Sequence, residues 1–324
     1  AHTLRRADDH PVVLAVHDTT ELRFGGTATR PGLGVISERG QGFHAHVTLA
    51  LTPAGEPLGV LDLWAWHREP WSAKPPRRTR TRAAPQSLTS YDPDRESLRW
   101  FESVDTTAAH LAGHRKVVHV MDREGDCIEL LSQLIDDGRC FVIRLCHDRR
   151  LDAHRRAVGV EKLYDALACA PVHYTCEVEF GARPAAADHG RRTARRARLA
   201  VRAGAFVLSP SNATPYHVPQ QLPVHVVEVG EIDPPAGEAP ILWRLVTTEP
   251  ITTDADIAAV ITAYRARWVI EEYFKVLKSG CRYEALQLRS GHALLNALCV
   301  LLPVAWSVLR LRWWEQSAPD ADAA

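Results

Sequence analysis

Two short apolar runs that each stop at an aspartate constrain this chain more than any other feature. Val-Val-Leu-Ala-Val at 12–16 leads into His17-Asp18-Thr19-Thr20, and Lys116-Val-Val-His-Val-Met121 leads into Asp122. Their length and β-branched content mark buried strands that end at the carboxylates. An ionised carboxylate beside a sheet interior is costly unless it is paired or bound to metal. If the two strands are neighbours, Asp18 and Asp122 approach each other at the sheet edge. Like charges that close need a cation, and all-oxygen ligands select Mg²⁺ or Mn²⁺. Taken singly, each aspartate reads equally well as a turn residue or a helix N-cap.

The runs around them set the fold class. His44–Leu51 and Leu58–Trp66 read as strands separated by the turn-rich Thr-Pro-Ala-Gly-Glu-Pro, which makes a three-stranded meander with the first run. The Pro-rich stretch 68–94 reads as an exposed loop. A helix from about residue 94 carries Leu98, Phe101 and Leu111, a second helix covers Ile128–Ile135, and Cys140–Cys146 is a further strand. The order β-β-β-α-β-α-β predicts an α/β fold, a mixed five-stranded sheet flanked by helices. Residues 147–250 break the alternation with strands at Ala197–Leu208, Pro223–Val229 and Ile241–Thr247, a mostly β insertion before the closing helix. That helix is predicted as one long element from Asp254 to about Leu286. The most apolar stretch, Ala297–Val308, is too short to span a bilayer, contains Pro303, and reads as a buried core helix. The resulting domain plan is a core at 1–146, the β-rich insertion at 147–250, the closing helices at 251–315 and a disordered tail at 316–324.

On the closing helix, Tyr264, Arg267, Glu271 and Lys278 fall at offsets that place all four within an arc of roughly 60°. One reading is a solvated face with an Arg267–Glu271 pair, worth about 0.3–0.5 kcal/mol. The other is a functional stripe of aromatic, cation, carboxylate and cation. Glu272 points about 100° away from Glu271 and reads as the solvated carboxylate of the two.

These segments together resemble the insertion-sequence-four family of bacterial DDE transposases. Tyr264-Arg-Ala-Arg267-Trp-Val-Ile-Glu271-Glu-Tyr-Phe-Lys-Val-Leu-Lys278 matches that family's Y-(2)-R-(3)-E-(6)-K signature. His17-Asp18-Thr19-Thr20 resembles its first aspartate motif and Met121-Asp122-Arg123-Glu124-Gly125-Asp126 its second. Glu96-Ser97-Leu98-Arg99-Trp100 and the segment from Leu242 to Pro250 are also similar to family segments. The spacings of 104 residues from Asp18 to Asp122 and 149 from there to Glu271 agree with it.

The resemblance implies an RNase H-like core in which Asp18, Asp122 and Glu271 are catalytic and hold two divalent ions, Mg²⁺ or Mn²⁺, for phosphodiester hydrolysis and strand transfer. It implies DNA as partner, both transposon ends and target, and a homodimer on DNA in an intact form, with no nucleotide cofactor and no membrane. It assigns Arg144, Tyr264, Arg267 and Lys278 to DNA contacts. It also assigns to Trp243 stacking on a base flipped out of the duplex. Full-length members carry an N-terminal domain that recognises the transposon end and often a C-terminal assembly domain. With the first aspartate at residue 18 and no initiator Met, this chain reads as truncated at the N-terminus and also at the C-terminus. A non-catalytic remnant that binds DNA or full-length subunits is therefore an alternative to an active core, as is a host nuclease built on the same core.

Composition fits this reading without proving it. Hydrophobic residues at 46% argue against wholesale disorder, and 39 Lys+Arg against 39 Asp+Glu leave no global field to hold DNA. Local basic patches must do so. Two clusters offer themselves, Lys74, Arg77, Arg78, Arg80 and Arg82 in the Pro-rich stretch, and Arg191, Arg192, Arg195, Arg196 and Arg198 in the insertion. Either also reads as a solvated run. Seven cysteines without a CxxC pair suit a reduced, cytoplasmic protein, and the resemblance implies a bacterial, nucleoid-associated one. Cys169, His173 and Cys176 have no matching second half, which argues against structural zinc.

Overall fold

A computed structural model of the chain describes residues 2–26, 29–37, 40–68, 96–157, 159–185, 190–210 and 218–317. In chain order its elements are α1 (His2–Asp8), β1 (Val13–Phe24), β2 (Gly34–Ser37), β3 (Gly40–Leu51), β4 (Pro57–Trp66), α2 (Leu98–His110), β5 (Val117–Met121), α3 (Ile128–Asp136) and β6 (Cys140–Arg144). They continue with α4 (Ala153–Ala157), α5 (Leu163–Ala168), β7 (Val172–Phe180), β8 (Arg195–Leu208), β9 (Leu222–Glu231), β10 (Leu242–Thr247), α6 (Asp254–Ala266), α7 (Trp268–Lys275) and α8 (Gly291–Ser317). The Pro-rich stretch with Lys74, Arg77, Arg78, Arg80 and Arg82 lies almost wholly outside the described residues, as does the tail from residue 318. The chain divides into two compact units, one of residues 1–120 and 265–324, the other of residues 121–264.

In the first unit, β3 pairs antiparallel with β1 along its length, from Leu14 opposite Leu51 to Phe24 opposite Gln41. On its other side it pairs with β4 and β2. β5 lies beside β1. The Val13 amide donates to the Lys116 carbonyl at 3.0 Å, and His17, four residues on, meets His119, three residues on from Lys116. Both strands therefore run the same way, and the sheet is mixed. Ala7, Val13, Ala15, Ala50, Leu58, Leu61 and Leu111 close a core on one face of it.

β1 does not end at Asp18 as its apolar run predicts; it continues to Phe24. Beyond Val16 the strand changes from a continuous apolar run to alternation, with Thr20, Leu22 and Phe24 buried and Glu21 and Arg23 turned outward. A strand buried on one face only shows this period of two, which a search for unbroken apolar residues misses. Asp18 consequently sits within a strand, not at its end.

The predicted single helix from Asp254 to Leu286 is broken into α6, α7, a π turn at Val276–Gly280 and a 3-10 turn at Tyr283–Ala285. Gly280 and the left-handed Arg282, at φ +51°, end the helical run. The apolar stretch at 297–308 is part of α8, and its expected complete burial is also corrected. Leu294, Leu298, Leu302, Ala305 and Leu309 are buried, whereas Val300, Val304, Val308 and Leu311 are exposed along another face. α8 is long and apolar enough to cross a membrane. Its buried face is held by the Tyr283 hydroxyl donating to the Leu294 carbonyl at 2.6 Å and the Tyr273 hydroxyl to the Leu302 carbonyl at 3.0 Å.

In the second unit, β6 pairs antiparallel with β10, Arg144 opposite Leu245 and Val142 opposite Thr247. β10 pairs with β9, β9 with β8, and β8 with β7, all antiparallel. The β-rich segment thus continues from β6 outward as one antiparallel set in the order β6-β10-β9-β8-β7. Within it β10, whose Leu245, Val246 and Thr247 are buried, is covered by a strand on each side.

Candidate active site

Successive residues of a strand point to opposite faces, and β1 uses this at His17 and Asp18. On one face, His17 and Thr19 enter a buried polar network. His17 Nε2 meets His119 Nδ1 at 2.9 Å, Thr48 Oγ1 meets His17 Nδ1 at 2.9 Å, and Thr19 Oγ1 meets His46 Nδ1 at 2.9 Å. Arg99 from α2 donates to Thr19 Oγ1 at 3.0 Å, and its guanidinium lies over the rings of Trp66 and Trp100. Burial holds the His17 and His46 imidazoles neutral. The His17 pKa is pushed well below its ordinary value by burial and by His119 and His46, and His46 is pushed down to about 3 by burial and the nearby Arg99.

On the other face, Asp18 meets a cation. Its Oδ1 accepts from the Thr19 amide at 2.7 Å, and its Oδ2 accepts from Arg267 Nη1 at 2.6 Å. The same Arg267 Nη1 lies 3.5 Å from Glu271 Oε1, one helical turn along. Asp18 and Arg267 keep 14% and 13% of their side-chain surface exposed, and Glu271 keeps 41%. Two carboxylates 253 positions apart in sequence therefore share one guanidinium. Hard oxygen donors that already bracket a positive charge fit a divalent cation such as Mg²⁺ or Mn²⁺.

Asp122, in the second unit, follows the last residue of β5 and caps the 3-10 turn Arg123–Gly125, its Oδ1 accepting from the Glu124 amide at 2.8 Å. Four residues on, Asp126 has no exposed side-chain surface. Its Oδ2 accepts from the Cys146 and His147 amides at 2.7 and 2.9 Å, and its Oδ1 pairs with Arg149. Sequence reasoning quoted Asp126 only as part of a motif. Its signal was a second acid at the entry to α3, with a basic residue just past β6. The side chains of Asp126, Cys146 and His147 come within 4.8 Å of one another. Both Asp126 oxygens are already taken by donors, which makes the group a clamp on the turn behind Asp122.

The remaining predicted residues fall into separate places. Trp243 and Tyr264 pack edge to face with ring centroids 5.6 Å apart, and Tyr264 is buried. Arg144 is half-buried and donates to the Leu242 carbonyl at 3.0 Å. Lys278 sits half-buried in the π turn, where the regular 100° spacing of the predicted stripe no longer holds. Glu272 is not the solvated carboxylate of its pair. It meets Arg312 of α8 at 3.0 Å and is 29% exposed, less than Glu271.

Three arginines of the insertion's basic cluster meet acids. Arg195 pairs with Glu231 at 2.7 Å and Glu238 at 2.6 Å, Arg196 with Glu177 at 2.8 Å and Arg198 with Asp233 at 4.0 Å.

Compared with known proteins, the chain matches the model of a family described as a transposase DDE domain over residues 98–305, more than half of its length. Asp122, Arg144, Trp243 and the segment Tyr264–Lys278 lie inside that stretch, and Asp18 lies outside it. Among solved structures, the chain is similar to a piggyBac transposase in a synaptic complex with hairpin DNA, studied by cryo-electron microscopy. The identity is 10% and the TM-score 0.42, over 97% of this chain and 50% of that one. The chain thus spans half the length of that transposase.

Proposed function

We propose, for a chain that belongs to the transposase DDE-domain family, that it is the catalytic part of a DNA transposase of the bacterial insertion-sequence-four type, with an RNase H-like core. The observation that carries this reading is the cluster in which Asp18 and Glu271 share the Arg267 guanidinium. Its reaction is phosphodiester hydrolysis followed by strand transfer at transposon ends, and its partner is DNA, on which an intact form acts as a homodimer.

Asp18, Asp122 and Glu271 supply the oxygen ligands for two divalent ions. Ions held there would supply Lewis-acid activation of an attacking oxygen and charge neutralisation at the leaving one. The chain's own residues do the rest. The Thr19 amide fixes the Asp18 carboxylate from the strand side. The buried histidines behind it stay neutral, so they add no positive charge beside an ion site. Asp126 and Arg149 fasten the turn that Asp122 caps. Arg144, Arg267 and Lys278 meet phosphates, Tyr264 lines the strand path, and Trp243 stacks on an unstacked base.

The test is Mn²⁺-dependent joining of a pre-cut transposon end by the purified chain, beside Asp122→Ala. Joining falls at least about a hundredfold in the variant if Asp122 holds an ion that neutralises transition-state charge. Joining that survives Asp122→Ala overturns the reading. Metal binding without joining in the unaltered chain favours a remnant that binds DNA without acting on it.

A further inference from the structure

We propose that Arg267 is a positioning residue that makes divalent-metal binding and DNA binding depend on each other. The inference rests on the reading of Asp18 and Glu271 as ion ligands. Arg267 Nη1 lies 2.6 Å from Asp18 Oδ2 and 3.5 Å from Glu271 Oε1, so the guanidinium takes the place a metal ion would need between them. Ligand oxygens stand about 2.0–2.1 Å from Mg²⁺. An ion on Asp18 Oδ2 would therefore lie within about 4–5 Å of a guanidinium still bonded to that oxygen, where two positive charges repel strongly at a partly dry site. Arg267 must release at least the Asp18 bond for the ion to enter.

A guanidinium this buried gains from a further anion when it gives up Asp18. The fork of Arg matches the paired oxygens of a phosphodiester, which the phosphoryl-transfer reading brings to the same site. DNA thereby withdraws Arg267 from the carboxylates and opens them to the ion. By linkage, the ion raises DNA affinity by the same factor. Without DNA, Arg267 offsets one of the two carboxylate charges and keeps the site closed to metal.

The experiment measures Mn²⁺ binding by electron paramagnetic resonance in the unaltered chain, Arg267→Gln, Arg267→Lys and Asp122→Ala, each with and without a random-sequence DNA duplex. Without DNA, Arg267→Gln binds Mn²⁺ about fivefold or more tightly than the unaltered chain, while Arg267→Lys, which keeps the charge, stays close to it. The duplex tightens Mn²⁺ binding by roughly tenfold in the unaltered chain and by less than about twofold in Arg267→Gln. Thermal unfolding of each variant checks that the fold is retained. A merely structural Arg267 would not make its loss tighten metal binding. Equal or weaker binding in Arg267→Gln, with Asp122→Ala still weakening it, overturns the proposal alone, as does a duplex that leaves the unaltered chain's Mn²⁺ affinity where it was. Mn²⁺ binding indifferent to Asp122 in every form overturns the underlying reading and this proposal with it.

Discussion

His17 and Asp18 show how one residue step on a strand separates two environments. The carboxylate meets a cation at the surface of the sheet, and the imidazole enters a core that keeps it uncharged. A pH dependence follows for the histidine network. The His46 pKa is lowered from 6.5 to about 3 in the folded chain, so the unfolded chain binds its proton first. The stability it contributes is whole above pH 6.5 and is lost as pH falls from there towards 3, at up to about 1.4 kcal/mol per pH unit. Urea denaturation at pH 7.5, 6 and 5 checks this, and His46→Gln flattens the slope. Asp126 belongs to the same scale. Removing one member of its buried pair with Arg149 costs about 3–5 kcal/mol, because the partner is left charged and unpaired. Asp126→Ala is therefore strongly destabilised in urea, and a second substitution, Arg149→Met, restores part of the loss. The chain offered an acid and a base flanking β6 but not their pairing. Asp126 stands 23 positions from its arginine, and only the return of β6 brings them together.

At the scale of elements, apolar periodicity located β3, β4, β5 and β6 within a few residues and missed α1, β2 and β7. β7 alternates without the apolar weight that marks a buried strand. Helical periodicity ran through the π turn at Val276–Gly280 because its residues suit a helix individually; the interruption lies in backbone hydrogen bonding, with the Cys281 amide reaching back to Val276. The start of α8 is set by a close backbone approach. The Gly291 amide donates to the Pro31 carbonyl at 2.8 Å, and a Cβ on Gly291 would stand 2.1 Å from the Gly32 oxygen. Gly291→Ala therefore forces backbone apart and lowers stability by about 1–3 kcal/mol. Thermal unfolding beside the exposed neighbour variant His292→Ala, expected within about 0.5 kcal/mol of the unaltered chain, separates the clash from a general effect.

For the whole molecule, a net charge of zero means that the proposed DNA affinity must rest on a few placed cations. Arg195, Arg196 and Arg198 are paired with acids, and Arg144, Arg267 and Lys278 are the cations assigned to phosphates. Three such contacts give log K against log salt a slope of about −3, at roughly −0.9 for each phosphate neutralised. Filter binding between low and moderate salt measures it, and a slope of about −6 or steeper would assign further cations to the interface. The chain alone pointed to its α/β class and to the transposase DDE-domain family. Strand-length apolar runs stopping at acids, and the Tyr-Arg-Glu-Lys spacing, are local patterns set by backbone periods of two and 3.6 residues. Only the tertiary structure decided that Asp18 and Glu271 share one guanidinium, that Arg195, Arg196 and Arg198 of the insertion meet acids, and that α8 buries one face and exposes another. Those outcomes depend on which distant side chains meet. Charge pairing and burial are properties of such meetings, and no local period records them.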